Sequence, residues 1–369
     1  MRRLSLLLLA LADTACDSTG TDAAQSVSLY VGNQGNFADN NGSITRYDLA
    51  DGAVTQDAVP DLGGLVQNLY GGGNRLRVLL NFDDSFTTGR GRIVDYDVIR
   101  QRRTDEIEVR TPRAFGYGPA IVSTGPSTGY VSNLYDDTVT PVDFATGTTG
   151  TPIPVGSAPE GVASAGGRTY VANSGFGAGT TLTVLDTADG TVLGTVDDVC
   201  DGPRTLLTDR EQEVWVICTG ATDFTTGAVT APGQVVVIDG ATGAVRQRYT
   251  ATGETLGSAT FGVDGVVVFD FDDDRDEIYV IATGAVLRFD ASTNALVSRI
   301  EAPGAPIGAV AYDRLRDELY LGRPDAQNPY GADGTVTIHT RDGAQTGQFR
   351  AGIAPAVMAF ATVEPIVEG

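Results

Sequence analysis

The 369-residue chain contains no lysine: its 25 basic residues are all arginine, set against 36 Asp and 11 Glu, for a net charge of −22. An acidic surface repels phosphate backbones, so nucleic acid is excluded as a partner. There is one histidine, His339, and three cysteines. That leaves no second imidazole for acid–base work and no donor set for haem, copper or a zinc tetrad, so no cofactor is expected. Sustained helical periodicity is absent beyond the N-terminus, and the apolar run there, Leu4–Ala12, is too short to span a membrane. No catalytic constellation is legible, and the chain does not read as an enzyme. High net charge keeps a protein soluble where salt screens repulsion strongly, so the acid excess points to a saline, halophilic habitat. Codon bias alone explains Arg for Lys but not the excess of acid.

What the chain has in abundance is repetition. Seven short strands recur at Leu29-Tyr30-Val31, Leu76-Arg77-Val78, Gly129-Tyr130-Val131, Thr169-Tyr170-Val171, Val214-Trp215-Val216, Ile278-Tyr279-Val280 and Leu319-Tyr320-Leu321. Their central positions step by 47, 53, 40, 45, 64 and 41 residues. A period near 40–50 with about four strands per unit predicts an all-β, seven-bladed propeller. In each unit a third strand ends on an acid: Asp48, Asp97, Asp143, Asp186, Asp239 and Asp290, with His339 in that place in the last unit. The chain opens on a second strand at Val27 and closes on a first strand at 354–362, so the C-terminal segment is expected to complete the first blade. The propeller is expected over 27–362, followed by a tail at 363–369.

A meander of this kind puts two classes of connection on opposite faces. One face carries tight, acidic turns such as Asp272-Asp273-Asp274-Arg275-Asp276, read as solvated carboxylates in preference to a calcium loop. The other carries long, glycine-rich loops, six of which contain an aromatic: Phe37, Phe86, Tyr135, Phe176, Phe224 and Tyr330. Asn33, Asn36, Asn41, Asn81, Asn133 and Asn173 accompany them. The connections into the first strands add Gln67, Asn68, Tyr70, Arg113, Tyr117, Glu160 and Arg204. Aromatics and amides on a rigid scaffold make a binding face for an amphipathic ligand or a partner protein. In the structural alternative, each aromatic caps its own loop and each Asn satisfies a turn.

Met1-Arg2-Arg3 and the apolar Leu4–Ala12 form an export signal, expected over 1–15. Cys16 follows a small residue as in lipoprotein signals, although Asp13 departs from that pattern and ordinary cleavage remains open. A tether is expected over 16–26. Cys200 and Cys218 then form an even pair at the same end of neighbouring strands, consistent with a disulfide or with two free thiols.

Three stretches carry a family resemblance: Gly156-Ser157-Ala158-Pro159-Glu160-Gly161-Val162-Ala163, Thr169-Tyr170-Val171-Ala172-Asn173 and Leu182-Thr183-Val184-Leu185-Asp186. With the opening Asn33-Gln34-Gly35-Asn36-Phe37 and the ending Phe349-Arg350-Ala351-Gly352-Ile353-Ala354-Pro355, the chain resembles YncE-like, YVTN-type propellers, in a surface-lipoprotein branch typical of Bacteroidota. That branch includes BtuG-type propellers. The resemblance implies a lipid-anchored protein of the outer membrane or cell surface, capturing a corrinoid such as cobalamin for a TonB-dependent transporter. A protein-interaction or surface-layer scaffold is the alternative.

Overall fold

The computed structural model describes residues 26–82, 88–117, 127–223, 225–226, 228–258, 266–269 and 277–363. The signal, Cys16, Phe86, Phe224 and the aspartate run at 272–276 lie outside the described residues. The fold is a seven-bladed β-propeller of small antiparallel sheets. Blade 1 takes its inner strand from the C-terminus: Pro355–Val363 pairs antiparallel with Ser26–Asn33, Ala359 opposite Tyr30. The ring therefore closes with three strands from one end of the chain and one from the other, and the first strand of the chain has a neighbour on each edge. Val266–Phe269 precedes the three described strands of blade 6 in the chain and pairs parallel with the inner strand of blade 7, Ala309–Asp313.

The apolar strands found in the sequence are the second strands, and each is buried on both faces between adjacent blades. Glu213–Cys218 is buried throughout, whereas the outer strand Val192–Val196 is almost wholly exposed. This gradient explains why the second strands read as continuous Val/Ile/Tyr runs and the outer ones do not. The recurring acid serves the turn that follows it. Asp48 accepts the Ala50 N–H at 2.9 Å, Asp143 those of Ala145 and Thr146, and Asp239 those of Ala241 and Thr242. Each is a side-chain cap on the hairpin, and a Gly takes the positive φ that closes the turn, Gly52 and Gly243 among them.

Blade 7 corrects one alignment. Glu213 faces Asp239 and Glu277 faces Asp290, but Glu318 faces Thr340, so Thr340 and not His339 occupies the acid's place. Thr340 accepts the Ala344 N–H through its hydroxyl at 3.2 Å. His339 points inward, 4% exposed, its ring nitrogens 3.0 Å from the Gly343 carbonyl and 2.9 Å from the Thr337 hydroxyl. Burial pushes its pKa down, as does the Arg323 charge, so the imidazole is a neutral core group.

Candidate functional site

The inner strands run from the long-loop face toward the turn face, and five of them share a defect near their start. In blades 1 to 5 the inner strand carries one residue more than the strand beside it. Such a bulge bends the strand and re-aims a side chain. The bulges contain Ala356, Gln67, Arg113, Glu160 and Arg204 in blade order. Four consecutive blades thus turn a polar side chain toward one another at the mouth of the central channel.

The four are bonded together. Arg113 donates through Nε to Glu160 Oε2 at 2.8 Å and through Nη1 to Gln67 Oε1 at 3.2 Å, while Arg204 Nε donates to the same Glu160 oxygen at 3.1 Å. A Cβ on Gly161 would lie 2.5 Å from the Arg204 carbonyl, so glycine there lets blade 5 approach closely enough for that bond. Burial alone would push the Glu160 carboxyl up. The guanidiniums of Arg113 and Arg204, with hydrogen bonds from Arg113 and Ser174, overcome this and hold it at about 2. Two fixed cations thus flank one carboxylate at the mouth.

Around the mouth, the four described loop aromatics pair between blades. Phe37 of blade 1 meets Tyr330 of blade 7 edge-on at 6.4 Å between centroids. Tyr135 of blade 3 stacks with Phe176 of blade 4 at 6.0 Å and 28°. Phe37 and Tyr135 are each 46% exposed and Phe176 66%. Gly175, Phe176 and Gly177 all have positive φ, at 53°, 56° and 92°. A left-handed conformation costs a phenylalanine roughly 1 kcal/mol or more, a strain that sites tolerate where a side chain must be presented. It costs the flanking glycines little.

The amides divide into two groups. Asn33, Asn133 and Asn173 end their second strands and are at most 4% exposed. Each donates from Nδ2 to two hydroxyls of the adjoining strand: Ser43 and Thr45, Thr138 and Thr140, Thr181 and Thr183, at 2.7–3.1 Å. They are clamps between strands rather than ligand contacts, which is the turn-satisfying alternative in a stronger form. Asn36 and Asn41 brace the blade 1 loop, Asn36 accepting from the Ala38 N–H and Asn41 from the Asn36 N–H. Asn81 accepts from the Phe82 N–H and Asn68 from the Leu69 N–H.

Three further residues expected in loops belong to strands. Asn68 and Tyr70 lie within Leu65–Gly72, and Tyr117 ends Pro112–Tyr117 at the far side of the ring from the mouth. Tyr70 is half-buried beside Arg77, away from the Arg113 cluster. The glycines and Asn of these segments hid the early start of the inner strands. Gln34 was not singled out from the sequence. It is 1% exposed in the blade 1 loop, both its amide atoms lacking a hydrogen-bond partner. Cys200 and Cys218 are joined as a disulfide with Cα atoms 6.1 Å apart.

No family model matches the chain, and no curated protein matches it. Among solved structures it is similar to the Pseudomonas aeruginosa periplasmic gluconolactonase PpgL, at 14% identity and TM-score 0.63, over 91% of this chain and 99% of that one. A protein from Lactobacillus plantarum aligns at 12% identity and TM-score 0.63, over 92% and 100%. Kuenenia stuttgartiensis hydrazine synthase aligns at 16% identity and TM-score 0.61, over 82% and 96%. At these identities the likeness establishes the fold alone, and the class the molecule belongs to is the seven-bladed β-propeller.

Proposed function

We propose that the protein is an exported, lipid-anchored binding propeller that captures an amphipathic ligand at the long-loop mouth. The observation that carries this reading is the set of four successive bulges that gather Gln67, Arg113, Glu160 and Arg204. A ligand with an amide-rich portion meets a fixed polar network there, and its apolar surface meets the loop aromatic pairs. Blades 7/1 and 3/4 stand nearly across the ring from each other, so a ligand touching both pairs must be broad. A corrinoid such as cobalamin has that breadth, peripheral amides and a phosphodiester, and its natural recipient is a TonB-dependent outer-membrane transporter. Titration calorimetry with cobalamin and cobinamide tests this. Cobalamin is expected to bind, about tenfold more weakly in Phe176→Ala, with cobinamide weaker because it lacks the phosphate. Absence of heat from both ligands at micromolar protein rules out the corrinoid.

The exposed aromatic pairs also suit a protein hot spot, which keeps the scaffold alternative in view. A transporter gene beside this one favours capture, and an adhesin or secretion cluster favours the scaffold. The gluconolactonase neighbour raises a hydrolase reading. Against it, a carboxylate held at about 2 between two guanidiniums is a weak base near neutral pH.

A further inference from the structure

On the turn face, away from the mouth, a cleft of about 750 Å³ opens between blades 3 and 4. Its volume lies within the roughly 300–1,000 Å³ of small-molecule sites. The cause is local to blade 3. Its third strand, Thr138–Asp143, contains Pro141, whose carbonyl accepts the Gly150 N–H at 2.8 Å on the outward edge. A residue's N–H and C=O point to the same side of a strand, so the N–H that proline lacks is missing from that same edge. The fourth strand is accordingly broken into Thr148–Thr149 and Ile153–Pro154. Space that a continuous outer strand fills in blades 4, 5 and 6 stays open here.

Tyr130 is the informative residue in this cleft. It is 7% exposed, it forms part of the wall, and among the described residues no group accepts from its hydroxyl. The repeat supplies its own control, because Tyr170 occupies the same strand position one blade on and donates to the Gly240 carbonyl at 2.8 Å. Burial, with the charges of Asp186 and Asp189, pushes the Tyr130 phenol up, so it keeps its proton and remains a donor at neutral pH. A hydroxyl that meets no protein acceptor and opens into a cleft can bond a ligand there in place of water.

We propose that this cleft is a second binding site, for a neutral saccharide. Asp143 and Asp189 supply acceptors, and Thr148 and Thr187 supply hydroxyls that give or take a hydrogen bond. The Tyr130 ring and Pro141 supply an apolar wall. A pyranose ring matches this set with hydroxyls around its edge and C–H groups on its faces. Among the described residues the lining contains no cation, which disfavours an anionic ligand. The site shares no residue with the channel mouth and does not depend on the function proposed for it.

The test is saturation-transfer NMR on the intact protein with glucose, galactose, mannose, N-acetylglucosamine and their disaccharides, followed by titration of any that respond. At least one sugar is expected to bind, with affinity falling about tenfold in both Tyr130→Phe and Asp189→Asn. Matching melting temperatures for Tyr130→Phe and wild type separate lost binding from lost folding. The proposal is overturned if no sugar binds at millimolar concentration, or if binding persists in both cleft variants. Binding of putrescine in place of every sugar, abolished by Asp189→Asn, overturns it too, because the cleft is then a cation site.

Discussion

The seam between blades 4 and 5 and the seam between blades 3 and 4 are built from the same repeat and held by different forces. At the first, fourteen buried side chains, from Ala163 through Tyr170 and Val216 to Ile238, form one apolar cluster that includes both disulfide cysteines. At the second the cluster has five: Tyr130, Val139, Val162, Val171 and Leu185. Polar ties make up the difference. Arg113 crosses to Glu160, Ser132 donates to the Glu160 carbonyl at 2.6 Å, and the Ala158 N–H donates to Asp137 at 2.8 Å. A propeller seam can thus be closed by area or by directed bonds. The bonded one is where a cleft can open on one face and a charged mouth on the other.

The largest expected effect comes from cutting the directed bonds. Glu160→Gln removes the carboxylate that two largely buried guanidiniums share, and denaturant unfolding is expected to show a loss of about 3–5 kcal/mol. The same carboxylate sets an acid limb. Its pKa is depressed from 4.5 in the unfolded chain to about 2 in the fold, so its stabilisation is complete above about 4.5. It is lost as pH falls from there toward 2 and amounts to roughly 3 kcal/mol. Unfolding measured from pH 6 to pH 2.5 should fall more steeply in wild type than in Glu160→Gln; parallel curves would remove Glu160 from the seam.

On the apolar seam, the double variant Cys200→Ser with Cys218→Ser opens a loop of 18 residues. A cost of about 3 kcal/mol is expected in non-reducing buffer, vanishing when wild type is reduced. The finest contrast sets two tyrosines against each other. Tyr170→Phe loses the bond to Gly240 and should cost about 1 kcal/mol, whereas Tyr130→Phe loses none and should melt with wild type. Equal losses at the two positions would mean that the seams are not different in kind.

Much of this architecture was legible beforehand because it rests on short-range chemistry. Second strands such as Val214–Ile217 announce themselves by β-branched runs, and acids such as Asp239 by the Gly-containing turn beside them. The disposition of loop aromatics on one face followed from counting strands. Less legible were features that depend on register. His339 sat one place from the acid position, and only the pairing of Glu318 with Thr340 revealed it. Asn33, Asn133 and Asn173 looked like site residues because a terminal amide carries no mark of its partner. The hydroxyls they clamp lie 5 to 12 residues further along, on another strand.

The sequence by itself determined the number of blades, the closure of the ring by the C-terminal strand and the residues available at its mouth. These follow from period, alternation and turn chemistry, each read within a few residues. Tertiary structure alone decided that Gln67, Arg113, Glu160 and Arg204 converge, although as many as 137 positions separate them in the chain. It also decided that Tyr130 faces a cleft while Tyr170 meets a carbonyl. Both outcomes turn on one extra or one missing backbone group, a bulge residue or the N–H absent at Pro141, whose effect appears only once neighbouring blades are packed against it.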